Sequence, residues 1–241
     1  MTGSRLVFLH GFTQTHHHWH APARVIAAAL DGDHTLGFID LPGHGLSSSQ
    51  RTSISSSGAA LADLGGGGMW VGYSMGARFA LHAALAPRHR IERLVLIGAT
   101  AGIESSQDRA ERRALDEQRA TVIEKDGVDA FLDEWLAMPM FARLPADERA
   151  RRRSNTSAGL ASSLRLAGTG SQVSLWERLG EIEIPVLLLA GEHDRKFVEI
   201  GHRMVSAIPN AWFTTIAHAG HAAHTEQPDA VAEAISAWAR A

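Results

Sequence analysis

Met69-Trp70-Val71-Gly72-Tyr73-Ser74-Met75-Gly76-Ala77-Arg78-Phe79 decides the fold of this chain. The apolar run Met69–Val71 reads as a strand, and the Ala-rich stretch Ala77–Ala86 reads as a helix. Between them Gly72-Tyr73-Ser74-Met75-Gly76 fits G-x-S-x-G, a strand-to-helix turn with a serine at its tip. The reason for that spacing is steric. Ser74 must accept a strained backbone, and small neighbours let adjoining chain pass close by. The helix N-terminus beneath then favours negative charge developing beside the serine.

Working outward, the same pattern of short apolar runs recurs at Leu6–Leu9, Leu36–Ile39, Leu94–Ile97, Val186–Ala190 and Trp212–Ile216. Continuous rather than alternating runs predict strands covered on both faces. Helical stretches at Ala21–Leu30, Phe197–Ala207 and Ala230–Ala239 lie between or after them. Strand, helix, strand in succession predicts an α/β class with a mostly parallel sheet, helices on both faces and right-handed crossovers. Reactive groups then gather beyond the carboxyl ends of the strands. Residues 103–180 break the rhythm with polar, charged amphipathic stretches anchored by Phe131, Trp135, Phe141 and Trp176. They predict a helical cap inserted into one discontinuous core domain of residues 1–102 and 181–241. Ser47–Ser57 and the four glycines Gly65–Gly68 flank a very short helix candidate near Ala59–Leu64 and read as a flexible region without chemistry.

A lone serine is a poor nucleophile or base and needs a histidine oriented by a carboxylate. The turn predicts the chain order serine, acid, histidine. Asp194 follows the Val186–Ala190 run and His221 follows the Trp212–Ile216 run. Glu192, His193, His218 and His224 offer the same chemistry nearby; order and placement favour Asp194 and His221. His10-Gly11-Phe12 ends the first strand, so the backbone N–H of Phe12, with that of Met75, is the expected oxyanion hole. Asp40-Leu41-Pro42-Gly43-His44-Gly45-Leu46-Ser47 reads equally as plain turn structure or as a wall of the site. His16, His17, His18 and His20 cluster nearby. Such tracts can bind metals, but no carboxylate or cysteine spacing accompanies this one. It reads as a solvated loop, with Trp19 as core, and no metal site or cofactor is expected.

Composition bounds the partners. The 241 residues carry a net charge of −3, with 45% hydrophobic and 20% charged residues. That balance argues against a protein that coats nucleic acid or an anionic membrane. With 0 cysteines there is no disulfide framework, thiol nucleophile or thiolate metal site. No run approaches a membrane span or a signal-peptide core, so a cytoplasmic location is expected. All 23 basic residues except Lys125 and Lys196 are arginine. A codon bias accounts for most of them, yet arginine is also the side chain whose planar fork matches carboxylates.

VFLHGFTQT, DLPGHGLS, GYSMGAR, DRAERR, SLRLAGTGSQ, GEHDRKF and AGHAAHTEQP together resemble the α/β-hydrolase superfamily. More narrowly they resemble its 2-succinyl-6-hydroxy-2,4-cyclohexadiene-1-carboxylate synthase family of menaquinone biosynthesis. The resemblance implies an α/β-hydrolase fold and a cofactor-independent elimination of pyruvate from a small tricarboxylate, a cyclohexene with an enolpyruvyl ether and a succinyl side chain. It implies that Ser74, His221 and Asp194 remove a ring proton while Phe12 and Met75 hold the enolate. It further implies anion-binding roles for Arg78, Arg112 and Arg153, and substrate contacts from Trp135, Tyr73 and His10. For Arg112 and Arg153 a solvated helix face is the alternative, because each has arginine neighbours. Two departures stand out. The chain enters its first strand almost at once, without the N-terminal hairpin of many superfamily members, and the segment between Ser47 and Met69 is short and Ser/Gly-rich where relatives carry a fuller helix.

Two other readings use the same residues. One is a serine hydrolase of esters or C–C bonds, which would want an apolar pocket where Arg78 stands. The other is a non-catalytic binding protein, which has no need of all three triad members.

Overall fold

Six apolar runs become six strands: β1 (Ser4–Leu9), β2 (His34–Ile39), β3 (Gly68–Tyr73), β4 (Ile91–Ile97), β5 (Val186–Gly191) and β6 (Ala211–Ile216). The computed structural model describes residues 4–241, so Met1–Gly3 of the expected core span lie outside the described residues. The strands form one sheet in the order β2-β1-β3-β4-β5-β6. Every ladder in it is parallel. This is the α/β-hydrolase arrangement that the sequence implied.

Alternation along the strands divides the interior in two, because successive side chains point to opposite faces. Leu6, Phe8, Val71, Val95 and Leu187 pack on one face, together with Trp19, Ile26 and Ile235. Val7, Leu9, Trp70, Leu94 and Leu188 pack on the other, with Leu61, Phe79 and Met204. The first face is covered by α1 (His20–Ala29) and, near the C-terminus, the helix Pro228–Arg240. The second is covered by α2 (Ile54–Gly65), α3 (Met75–Ala84) and the helix Arg195–Val205. Phe8, Trp70 and Phe79 are all fully buried. Each such side chain stabilises the fold by about 1.5–3 kcal/mol relative to leaving it exposed.

The 47–69 region differs from expectation. Instead of a very short helix in a flexible stretch, α2 runs for 12 residues. Ser53 caps it by accepting a hydrogen bond from the Ser56 backbone N–H at 3.2 Å. Its first turn, Ser55-Ser56-Ser57-Gly58, is made of poor intrinsic helix formers, and packing explains why the helix starts there. A Cβ at Gly58 would stand 2.6 Å from the His82 carbonyl of α3, so only glycine permits that approach.

Between β4 and β5 the chain is helical: α4 (Ser106–Trp135), α5 (Ala146–Arg151) and α6 (Ser157–Ala167). Gly127, at φ 88°, interrupts α4. This insertion meets the sheet end closely. Gly43, after β2, faces Gly159 of α6 backbone to backbone, and a side chain at either would collide with the other's carbonyl. After β5 come α7 (Arg195–Val205), α8 (Ala223–Glu226) and α9 (Pro228–Arg240). No helix among the described residues is long and apolar enough to cross a membrane.

Candidate active site

Ser74 lies between β3 and α3 with φ 51° and ψ −106°, a left-handed backbone that few non-glycine residues adopt. Its N–H is fixed by the Ile97 carbonyl at 2.8 Å. The strain is therefore held by β4 next door, and it lifts Oγ clear of the sheet. His221 Nε2 sits 3.0 Å from that Oγ. On the other side of the ring, Nδ1 is 2.6 Å from Asp194 Oδ2. A carboxylate only accepts, so Nδ1 carries the proton and Nε2 turns its lone pair to the serine hydroxyl. Of the competing residues, Glu192 accepts from the His218 N–H at 2.9 Å. His224 is fully buried, its ring 4.3 Å from Tyr73 and 4.5 Å from Trp19. Neither enters the Ser–His–Asp chain.

Glu226 is a positioning group that the sequence reading did not single out. Its carboxylate accepts from the N–H groups of Gly220 at 2.6 Å and Ala222 at 3.1 Å, bracketing His221. Phe197 packs on the imidazole with ring centroids 4.6 Å apart.

A cavity of about 300 Å³ opens over Ser74, and Phe12, Met75, Tyr73, Arg78, Arg112 and Trp135 all reach its wall. Met75 opens α3, so its N–H has no intrahelical carbonyl to bond. Phe12 and Met75 thus share the cavity wall with the serine. Trp135 meets Phe12 edge to face at 5.5 Å and lies under the Arg119 guanidinium at 5.1 Å.

Two expected contacts fall elsewhere. Arg153 is solvent-facing and pairs with Asp129 at 2.8 Å and with Asp133, outside the cavity wall. Its neighbour Arg152 takes the place instead, 1% exposed and lining the cavity. His10 is also fully buried and away from the wall. Its Nδ1 donates to the Gly11 carbonyl at 2.8 Å and its Nε2 accepts from the Leu41 N–H at 3.1 Å. Burial pushes its pKa down to about 4, so it is a neutral brace for the loop after β1. His44 repeats the device. It accepts from the Thr13 N–H at 3.3 Å, donates to Pro42, and burial lowers its pKa to about 3.

That loop is also gripped by the insertion. Arg152 donates to Thr13 Oγ1 at 2.9 Å, and Asn155 Nδ2 donates to the Thr13 carbonyl at 2.7 Å. Glu148 accepts from Gln14 at 2.7 Å, and Gln14 in turn accepts from the Gly11 N–H. His18, expected in a solvated cluster, is buried with its Nε2 4.0 Å from Glu148. Burial, with the charge of Arg152, lowers its pKa to about 3.

The cavity is cationic. Arg119, Arg152 and Lys196 line it beside Arg78 and Arg112. Arg112 and Arg119 share Asp116, at 2.9 and 3.7 Å, and Arg152 leans on Glu148 at 3.4 Å. Arg78 is different. It is 7% exposed, its polar partner is the neutral Gln172 at 3.0 Å, and no carboxylate among the described residues pairs with it. Burial, reinforced by Arg112, lowers its pKa to about 10, which still leaves it charged near neutrality. A buried cation without a counter-charge is costly unless an anion joins it. Arg119 was legible in principle, seven residues after Arg112 and so on the same helix face. Lys196 stands in the quoted GEHDRKF stretch, but only the fold shows where it points.

An elbow serine after β3, an aspartate after β5 and a histidine after β6 decide the family, and the sequence matches the alpha/beta hydrolase family over residues 6–234. This chain belongs to the alpha/beta hydrolase family. Among curated relatives of this alpha/beta hydrolase is a Bacillus subtilis protein provisionally named 2-succinyl-6-hydroxy-2,4-cyclohexadiene-1-carboxylate synthase. It is 40% identical, over 69% of this chain and 63% of that protein. The synthase of that name from Yersinia pseudotuberculosis is 30% identical over 98% of this chain and 87% of its own length. MenH from S. aureus superposes with a TM-score of 0.91 at 33% identity, covering 100% of this hydrolase-fold chain and 94% of that one. The enol-lactonase from Burkholderia xenovorans, at TM-score 0.80 and 21% identity, shares the fold.

Proposed function

We propose that this protein is a 2-succinyl-6-hydroxy-2,4-cyclohexadiene-1-carboxylate synthase. It eliminates pyruvate from 2-succinyl-5-enolpyruvyl-6-hydroxy-3-cyclohexene-1-carboxylate in menaquinone biosynthesis. The observation that carries this reading is Arg78, buried in the wall of the cavity that Ser74 opens into and hydrogen-bonded to neutral Gln172 rather than paired with a carboxylate. An esterase for neutral acyl groups has no use for it, whereas a tricarboxylate supplies its missing partner. The names of the relatives support the same activity.

In this reading Ser74 Oγ, its own proton passing to His221 Nε2, takes the ring proton next to the succinyl ketone. Asp194 stabilises the imidazolium, and general-base work of this kind contributes about 10²–10⁴-fold. The electron pair becomes an enolate held by the Phe12 and Met75 N–H groups, which suit an enolate as well as a tetrahedral oxyanion. That pair then forms a double bond from the succinyl-bearing carbon to its ring neighbour, the existing ring double bond shifts one position along, and the ring C–O bond breaks. The departing pyruvate enolate takes up the proton stored on the triad. Arg78, Arg112 and Arg152 hold carboxylates, with Arg119 and Lys196 adding positive charge, while Tyr73 and Trp135 wall the ring. Residues 103–180 act as a cap over a core of residues 1–102 and 181–241. The partner is a small molecule rather than nucleic acid, and the site of action is the cytoplasm.

Purified protein, in the presence of a chelator, should release pyruvate from the enolpyruvyl cyclohexene while hydrolysing a neutral aryl ester slowly. Ser74→Ala should lower release by at least about 100-fold. Arg78→Ala should lower kcat/KM on the tricarboxylate by about 10- to 150-fold and leave the ester rate alone, since a charged hydrogen bond contributes about 1.5–3 kcal/mol. Fast ester hydrolysis without pyruvate release would instead favour the serine hydrolase.

A further inference from the structure

The tract His16-His17-His18-Trp19-His20 takes no part in this chemistry, and the fold splits it. His18 turns inward, while His16, His17 and His20 stay together on the outside, at the turn that leads into α1. Each of the three offers a ring nitrogen, and those atoms lie within 4.8 Å of one another. The ring centroids are 3.9 Å apart for His16 and His17, 5.1 Å for His17 and His20, and 5.6 Å for His16 and His20.

We propose that His16, His17 and His20 form a binding site for a divalent transition-metal ion, with Zn²⁺ the best match. Imidazole donors suit Zn²⁺ and its neighbours, whereas Mg²⁺ and Ca²⁺ prefer oxygen. Three protein nitrogens leave the fourth tetrahedral position to water. Nitrogens bound at 2.0–2.1 Å to one Zn²⁺ lie about 3.4 Å apart, so the rings must close by about an ångström. His17 and His20 are exposed and can do so by rotating side chains.

The second observation is Asp40, after β2. Its carboxylate accepts from His16 Nδ1 at 2.7 Å and from the His16 and Leu46 N–H groups at 2.7 and 2.9 Å. This fixes the tautomer of His16: the proton sits on Nδ1, and Nε2 keeps its lone pair for a metal. A carboxylate behind a ligating histidine is the usual outer partner of such sites, orienting the ring and raising its basicity. The trio Glu192, His193 and His218 also brings three donor atoms together, but all three side chains are exposed. Its carboxylate accepts from the His218 backbone N–H at 2.9 Å, with the His218 ring nitrogen at 4.0 Å, too far for a hydrogen bond. It serves as the internal control.

The test is equilibrium dialysis of the full chain, carrying no affinity tag, against Zn²⁺, with bound metal measured directly. One ion per chain at micromolar Zn²⁺ is expected. His17→Ala/His20→Ala should weaken binding by at least about tenfold, the lower end of what losing even an outer partner costs. Glu192→Gln/His218→Ala should leave it unchanged. Co²⁺ in place of Zn²⁺ should give the intense visible bands of tetrahedral coordination in the wild type and not in the His17/His20 variant. Both pairs are surface changes, and circular dichroism confirms that each variant folds. Equal binding by the His17/His20 variant, loss only in the Glu192/His218 variant, or no retained Zn²⁺ would each overturn the proposal.

Discussion

Arg152 and Arg153 are neighbours in sequence and opposites in environment. One is buried against Glu148, Thr13 and the cavity; the other stands in solvent between Asp129 and Asp133. Arg152–Ser154 form a 3₁₀ turn, in which consecutive residues point about 120° apart, so only the packing of the insertion decides which faces the site. The run Arg151-Arg152-Arg153 holds no clue to that rotation, which is why the sequence reading favoured the wrong member. The triad was legible because chain order and strand ends constrain it from two directions. Arg152→Lys keeps a charge beside Glu148 but loses the planar fork. It should raise KM for the tricarboxylate and lower kcat/KM about tenfold, while Arg153→Ala leaves both within about twofold. Steady-state kinetics on the two variants, side by side, checks the assignment; the reverse ranking would return Arg153 to the site.

At the scale of elements, the apolar runs matched all six strands; the inner β1, β3, β4 and β5 are buried for most of their length and so continuously hydrophobic, while the edges β2 and β6 are partly exposed and kept only a shorter apolar signal. Helix α2 was the poorest reading, since Ser55, Ser56, Ser57 and Gly58 are weak helix formers. Its existence depends on contact with α3 and on the Ser53 cap, and neither is a property of local composition. Ser53→Ala should therefore cost about 1 kcal/mol of stability, measurable as a lower midpoint in urea with an unchanged slope. No change in midpoint would mean that α2 is held by packing alone.

For the whole molecule, buried neutral histidines set the response to acid. The pKa values of His10, His18 and His44 lie at about 4, 3 and 3, below the ordinary 6.5, chiefly through burial. Above pH 6.5 these rings are neutral in both folded and unfolded chains, so they add no pH dependence. Between 6.5 and about 4 the unfolded chain takes up protons that the folded one refuses. Stability then falls as the pH drops through this window, each such ring contributing in the same direction. Glu148, whose pKa burial raises, opposes this slightly just above 4.5. Urea titrations at pH 7.5, 6 and 5 should show midpoints dropping progressively; a flat series would show that these rings are hydrated in the folded state. The hydrogen bonds from Arg152 and Asn155 to Thr13, and from Gln14 to Glu148, have a separate consequence. The helical insertion props up the loop that carries Phe12, as a keystone holds an arch. Swapping it for the corresponding segment of another hydrolase should dismantle the oxyanion loop unless those three side chains travel with it.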